Sequence, residues 1–169
     1  MSNREKIQLV DVKDNVVGEK WRSDLTNDDC WRIISLWITN NEGKVLLQQR
    51  SFNKKVAPGV WTAAVEGTVD YGDSYEITAK REAEEEMGLK NLRLVETGKY
   101  FGPWGGFGKR QCQGYTAVYS GDPSAIIIQE SEVNDIKWLN LAEIKQLYQE
   151  MPELFPLYNN YLKLGFLQN

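Results

Sequence analysis

The segment GTVDYGDSYEITAKREAEEEMGL, Gly67 to Leu89, constrains the fold of this chain more than any other. Five of its 23 residues are glutamates, and Glu84, Glu85 and Glu86 are adjacent. Tyr75, Ala79, Ala83 and Met87 recur every four residues, the spacing of an apolar stripe along one helix face. Asp73 reads as an N-cap, with Glu76 three residues later completing a capping box, and Gly88 as the C-terminal stop. The expected helix therefore runs from Asp73 to Met87. At about 100° per residue, Glu82 and Glu86 fall about 40° apart on one edge of the stripe. Glu85 lies beside them, three residues from Glu82, while Glu84 points elsewhere.

If the stripe packs on a sheet, three carboxylates meet at its border, where losing water costs most and like charges repel. Arg81, four residues before Glu85, neutralises one charge. The remaining excess suits a hard divalent cation such as Mg²⁺, which takes a few carboxylates together with water and phosphate oxygens. A solvated acidic face is the competing reading. Placement of the glutamates beside the stripe, not opposite it, favours metal.

The rest of the chain narrows the alternatives. At 169 residues it suits one domain spanning 1–169. A net charge of −4 argues against a broad nucleic-acid surface. No apolar run approaches the roughly 20 residues of a membrane span, and the first ten residues lack a signal-peptide core, so a cytoplasmic protein is expected. Cys30 and Cys112 have no metal-type or redox-type spacing. The chain has no histidine, which excludes His-based acid–base catalysis and His metal sites.

IQLVDVKDNVVGEKW reads as two strands joined at Asp14-Asn15, and CWRIISLWITN followed by KVLLQQRS as two more. VWTAAVEGTV is strand-like up to its glycine. LRLVETGKYF and QCQGYTAVYS read as strands flanking a glycine-rich loop, and VNDIKWLNLAEIKQLYQEM as a strand running into a helix. A further helix follows Pro152, placing the C-terminal helices at about 141–165. Strands around a central helix, with two helices at the end, predict an α/β protein with a mixed sheet between helical layers.

The acidic segment resembles the Nudix box, G-x5-E-x7-R-E-U-x-E-E-x-G-U with U aliphatic. Gly67, Arg81, Glu82, Ala83, Glu85, Glu86, Gly88 and Leu89 match at the right spacing, and Asp73 stands where the pattern has glutamate. VLLQQRS, PGVW and the strand ending at Gly67 also fall where Nudix proteins have their strand, loop and strand. The resemblance implies an α/β/α sandwich whose box, residues 67–89, binds divalent metal to hydrolyse a diphosphate linked to another moiety. Carried over, Glu82, Glu85 and Glu86 are metal ligands, Gly67 adds its carbonyl, and Arg81 orients the carboxylates. Asp73 is read as a structural cap. The front half, from LVDVKDNVVGEKW to APGVWT, resembles type 1 isopentenyl-diphosphate isomerases and related Nudix hydrolases. Trp31 stands where that isomerase has a metal-binding histidine, and TAAVEG lacks its catalytic cysteine, so hydrolysis is expected. An isomerase-like enzyme and a non-catalytic ligand-binding domain are the alternatives.

Diphosphate hydrolysis needs charge neutralisation and an activated water, which Mg²⁺ or Mn²⁺ supplies. Without histidine, the base is sought among the box glutamates and among Glu130 and Glu132 of QESEVNDIKW. Arg50, ending LLQQR, is the phosphate candidate. Trp104, Phe107, Lys109 and Arg110, in the loop between two strands, are candidates for stacking on a base and meeting phosphate. A nucleoside diphosphate derivative is the leading substrate class, with nucleotide sugars, dinucleoside polyphosphates and prenyl diphosphates also open. The six tryptophans fit a core or a homodimer interface equally.

Overall fold

A computed structural model describes residues 5–167. Its strands are β1 (Lys6–Val10), β2 (Val16–Trp21), β3 (Trp31–Thr39), β4 (Val45–Arg50), β5 (Trp61–Ala63), β6 (Val65–Thr68), β7 (Val95–Pro103), β8 (Lys109–Val118) and β9 (Val133–Leu139). The α-helices are α1 (Tyr75–Met87), α2 (Leu141–Glu150) and α3 (Tyr158–Lys163). β3 is the hub. It pairs antiparallel with β1, β4 and β6, and parallel with β8. β7 continues the sheet beyond β8, and β5 and β9 beside β4.

β3 can occupy the centre because its run IISLWI is apolar on both faces. Ile34, Leu36 and Ile38 join a core with Ala79, Ala83 and Met87 of α1. Ile33 and Trp37 join a second core with Ile144 of α2, Tyr161 of α3 and Leu164 just after it. A mixed sheet therefore lies between α1 on one face and the C-terminal helices on the other, the expected α/β/α sandwich.

The Asp14-Asn15 turn joins β1 to β2 and does more than reverse the chain. Asp14 has φ of +67°, a left-handed conformation that aspartate tolerates. Its carboxylate accepts from Arg32 Nε at 2.7 Å, Tyr75 OH at 3.0 Å and Lys99 Nζ at 2.5 Å. Burial opposes ionisation of Asp14, yet these three donors keep its pKa below the usual carboxylate value. The first hairpin, β3, β7 and the start of α1 are thereby tied at one point.

Two local expectations are corrected. The N-cap of α1 is Ser74, whose Oγ accepts from Ile77 N at 3.2 Å, and the helix starts at Tyr75. Asp73 is instead held in a turn by its N–H to the Asp70 carbonyl, with its carboxylate 3.7 Å from Arg81. The segment Val60 to Gly67 is two short strands broken at Ala64, because β5 pairs with β4 whereas β6 pairs with β3. Gly88 ends α1 as expected, with φ of +66° and its N–H bonded to the Glu84 carbonyl.

Candidate active site

The apolar stripe of α1 faces the sheet, and this sets where the glutamates go. Ala79, Ala83 and Met87 are fully buried. One position before Met87, Glu86 is carried against β4 and is only 7 % exposed. Among the described residues its sole side-chain hydrogen bond comes from Gln48 Nε2 at 3.3 Å. Burial, then the charges of Glu82 and Glu132, push the Glu86 carboxyl up to about 8. Glu82 is also largely enclosed, its side chain 13 % exposed. Burial raises its pKa, and Glu85 and Asp70 add to this against the pull of Arg81.

Gly67 lets Glu82 come close. A Cβ there would stand 2.7 Å from Glu82 Cγ, so only glycine allows β6 and α1 this approach. Arg81 lies among four carboxylates, 2.7 Å from Asp70, 2.9 Å from Glu82, 3.6 Å from Glu85 and 3.7 Å from Asp73. Glu85 is 53 % exposed and turned towards this guanidinium. Glu84 pairs with Lys90 at 3.0 Å on the outer face.

A further carboxylate arrives from the loop before β9. The Gln129 N–H donates to the Glu86 carbonyl at 2.8 Å and the Ile127 N–H to the Met87 carbonyl at 3.2 Å. This splices the loop onto the end of α1. Glu132 follows, 15 % exposed, paired with Lys54 at 2.5 Å and close enough to act electrostatically on Glu86. Glu130 in the same loop is exposed. Of these two, the structure brings Glu132 to the box and leaves Glu130 at the surface.

As the side chains stand, no three acidic or cysteine side chains among the described residues are grouped so as to hold a metal ion. The donor chemistry nevertheless fits a hard cation. Among the described residues Glu86 is buried with one neutral hydrogen bond, Glu82 is enclosed near it, and Glu85 is half exposed one position before Glu86.

The substrate candidates divide. Arg50 is half-buried at the end of β4, donating to the Val56 carbonyl at 3.2 Å, with a buried Nε that has no partner among the described residues. Its charge acts on both Glu86 and Glu66. Arg110 is turned inward. It donates to the carbonyls of Phe107 and Lys109, both at 2.6 Å, and stacks 3.3 Å from the Trp31 ring centroid. Burial lowers its pKa to about 10. Trp104 is a core residue at 6 % exposure. Phe107 is half-buried and Lys109 exposed. The loop at residues 104–110 therefore commits most of its stacking and charge to holding itself together.

Sequence reasoning passed over Gln48, Lys54, Asp70 and Glu66. Only Glu66 left a signal, a charge inside the apolar strand TAAVEG.

The chain resembles known proteins along most of its length. Residues 31–160 match the NUDIX domain. An uncharacterized Nudix hydrolase of Pseudomonas aeruginosa is 30% identical over 140 residues, covering 82% of this chain and 80% of the relative. Isopentenyl-diphosphate Delta-isomerase 2 of Photorhabdus laumondii is 28% identical over 158 residues, covering 91% and 88%. The crystal structure of a Deinococcus radiodurans protein superimposes with a TM-score of 0.70 at 24% identity, covering 84% of this chain and 90% of that one. With the box residues assembled as described, these matches place the chain in the Nudix hydrolase family.

Proposed function

We propose that this Nudix pyrophosphohydrolase uses Mg²⁺ or Mn²⁺ to cleave the diphosphate linkage of a nucleoside diphosphate derivative or a related compound. The observation that carries this reading is Glu86. It is a buried carboxyl with Glu82 and Glu132 beside it and one neutral donor, an arrangement that a cation would complete. Glu82, Glu85, Glu86 and the Gly67 carbonyl would hold the cation. When bound, it supplies neutralisation of the phosphate oxygens and acidifies a water.

The protein's own groups account for the rest. Arg81 holds Glu82 and Glu85 in place through its guanidinium, 2.9 and 3.6 Å from their carboxylates. Arg50 presents a guanidinium to a phosphate oxygen beside Glu86. Glu132, anchored by Lys54, takes the proton from the attacking water as its oxygen bonds to phosphorus. The anhydride P–O bond breaks, and its electron pair leaves with the departing phosphate.

A screen for phosphate or nucleotide release tests this reading. It should cover nucleoside di- and triphosphates, nucleotide sugars and dinucleoside polyphosphates, with and without Mg²⁺ or Mn²⁺. Metal-dependent turnover of at least one class is expected, and Glu132→Gln should lower it far more than Glu130→Gln. No turnover on any class, with the metal indifferent, would return the domain to ligand binding. The Photorhabdus relative's name favours one other outcome, isomerisation of isopentenyl diphosphate, so that compound belongs in the screen. Glu66 occupies the strand segment where that chemistry has its cysteine, which argues against it.

A further inference from the structure

The loop between β4 and β5 and the loop before β9 border a cavity of about 560 Å³, within the size range of small-molecule sites. Ser51, Phe52 and Asn53 line it from the first loop, and Glu130, Val133 and Asn134 from the second. Two backbone hydrogen bonds fix its place beside the box. The Ser51 N–H donates to the Glu132 carbonyl at 2.9 Å, and the Gln129 N–H to the Glu86 carbonyl at 2.8 Å. The lining therefore begins one residue after Arg50 and includes a neighbour of Glu132, the two groups assigned to phosphate and to the attacking water.

The lining says what the cavity suits. Phe52 is 64 % exposed, yet its ring is held in place. It lies on the bare Cα of Gly59, where a Cβ would stand 2.5 Å from the Phe52 Cε1. Gly59 is fixed in turn, its N–H donating to the Arg50 carbonyl at 3.1 Å and its carbonyl accepting from Gln49 Nε2 at 3.0 Å. A held aromatic ring in a polar cavity suits stacking on a planar ring. No lysine or arginine among the described residues lines the cavity, so it does not suit phosphate. It offers acceptors instead. Asn134 spends its Nδ2 on Gln49 Oε1 at 2.8 Å, which leaves its own Oδ1 free to accept. Glu130 is exposed and has no ion pair among the described residues, because Lys54 goes to Glu132. A carboxylate and an amide oxygen call for a ring that donates. Of the two purines, guanine presents adjacent N1–H and N2–H₂ donors, whereas adenine presents a single amino group.

We propose that this cavity is a base subsite selective for guanine, with Phe52 stacking on the ring and Glu130 accepting from its N1–H and N2–H₂. The inference rests on the hydrolase reading for the place of the diphosphate, but its test does not need turnover. Binding of GDP, ADP and inorganic pyrophosphate is measured by calorimetry in Ca²⁺ for the wild type, Phe52→Ala, Phe52→Tyr and Glu130→Gln. Melting temperatures report folding.

The wild type should bind GDP roughly tenfold or more tightly than ADP, as a two-point contact to a base edge implies. Glu130→Gln should bring GDP down towards ADP and leave ADP and pyrophosphate unchanged. Phe52→Ala should weaken both nucleotides by roughly tenfold, the worth of one stacked base, and leave pyrophosphate unchanged, whereas Phe52→Tyr should keep wild-type affinities. General destabilisation would weaken all three probes together. Equal binding of GDP and ADP by the wild type overturns the proposal, as does a preference for GDP that survives Glu130→Gln. A loss in Phe52→Ala that extends equally to pyrophosphate also overturns it. Should Phe52→Ala fail to fold, Phe52→Tyr and Glu130→Gln decide. Guanine-selective binding without metal-dependent turnover on any diphosphate would sink the hydrolase reading and leave this one standing. Metal-dependent turnover without any preference for guanine would do the reverse.

Discussion

Glu82 lies against the bare Cα of Gly67, so close that a single methyl there would stand 2.7 Å from its Cγ. Gly67 does not have a positive φ, so the need for glycine here is one of space alone. Gly67→Ala should push Glu82 away from the sheet and off its contact with Arg81. Turnover is expected to fall by roughly tenfold or more, as misplacement of a metal-binding group implies. The melting temperature should drop only modestly, because strand and helix can part by a few tenths of an ångström. Unchanged turnover in Gly67→Ala would show that the position of Glu82 is unimportant.

The three adjacent glutamates should separate cleanly. Glu84 is paired with Lys90 on the outer face, so Glu84→Gln should leave turnover near wild type. Glu85→Gln and Glu86→Gln should each lose about a hundredfold. Glu86→Gln carries a second signature. It replaces a buried ionisable group with a neutral amide of the same shape beside Gln48, so the metal-free protein should be as stable as the wild type or more so at neutral pH. Equal losses in all three variants would mean that the assigned roles are wrong.

How far the site could be read from sequence follows from how local each part is. The face of α1 was legible because Tyr75, Ala79, Ala83 and Met87 fix its register within one helix. The cap was misplaced by one residue because both Asp73 and Ser74 are good caps, and only tertiary structure gives Asp73 another partner, Arg81. Glu132 and Glu130 are equivalent in sequence. What separates them is the splice of Gln129 and Ile127 onto the end of α1, a contact between distant segments. Glu66 stood out as a charge inside an apolar strand, but the face it points to was not legible, for a different reason. β6 is covered on both faces, so hydrophobic alternation does not say which way its one charge points.

The cap gives a compact test. Ser74→Ala should cost about 1 kcal/mol of stability through loss of the bond to Ile77 N. Asp73→Asn should leave both stability and turnover close to wild type, since its carboxylate is one of four around Arg81. Thermal melts and turnover on both variants check this. Loss of turnover in Asp73→Asn at unchanged melting temperature would instead place Asp73 among the groups that hold the cation.

Metal and pH should act together on stability. In the metal-free protein the Glu86 carboxyl titrates near 8 instead of 4.5, chiefly because it is buried, and Glu82 is raised for the same first reason. A raised carboxyl pKa means that the folded state keeps a proton the unfolded chain has released. Stability is therefore fully present below about 4.5 and lost progressively as pH climbs towards about 8. Mg²⁺ or Mn²⁺ at millimolar concentration binds the native state and should raise the melting temperature by mass action. The rise should be larger at neutral than at mildly acidic pH, where protons compete for the same oxygens. Ca²⁺ should support turnover poorly, because its longer and looser coordination displaces the phosphate oxygens. Glu66 also titrates near 8 but lies on the other face of the sheet, so its share of the pH dependence should persist in Glu86→Gln. Melts of wild type and Glu86→Gln at two pH values, with and without metal, separate the two contributions. Metal stabilisation of equal size in both proteins would remove Glu86 from the cation site.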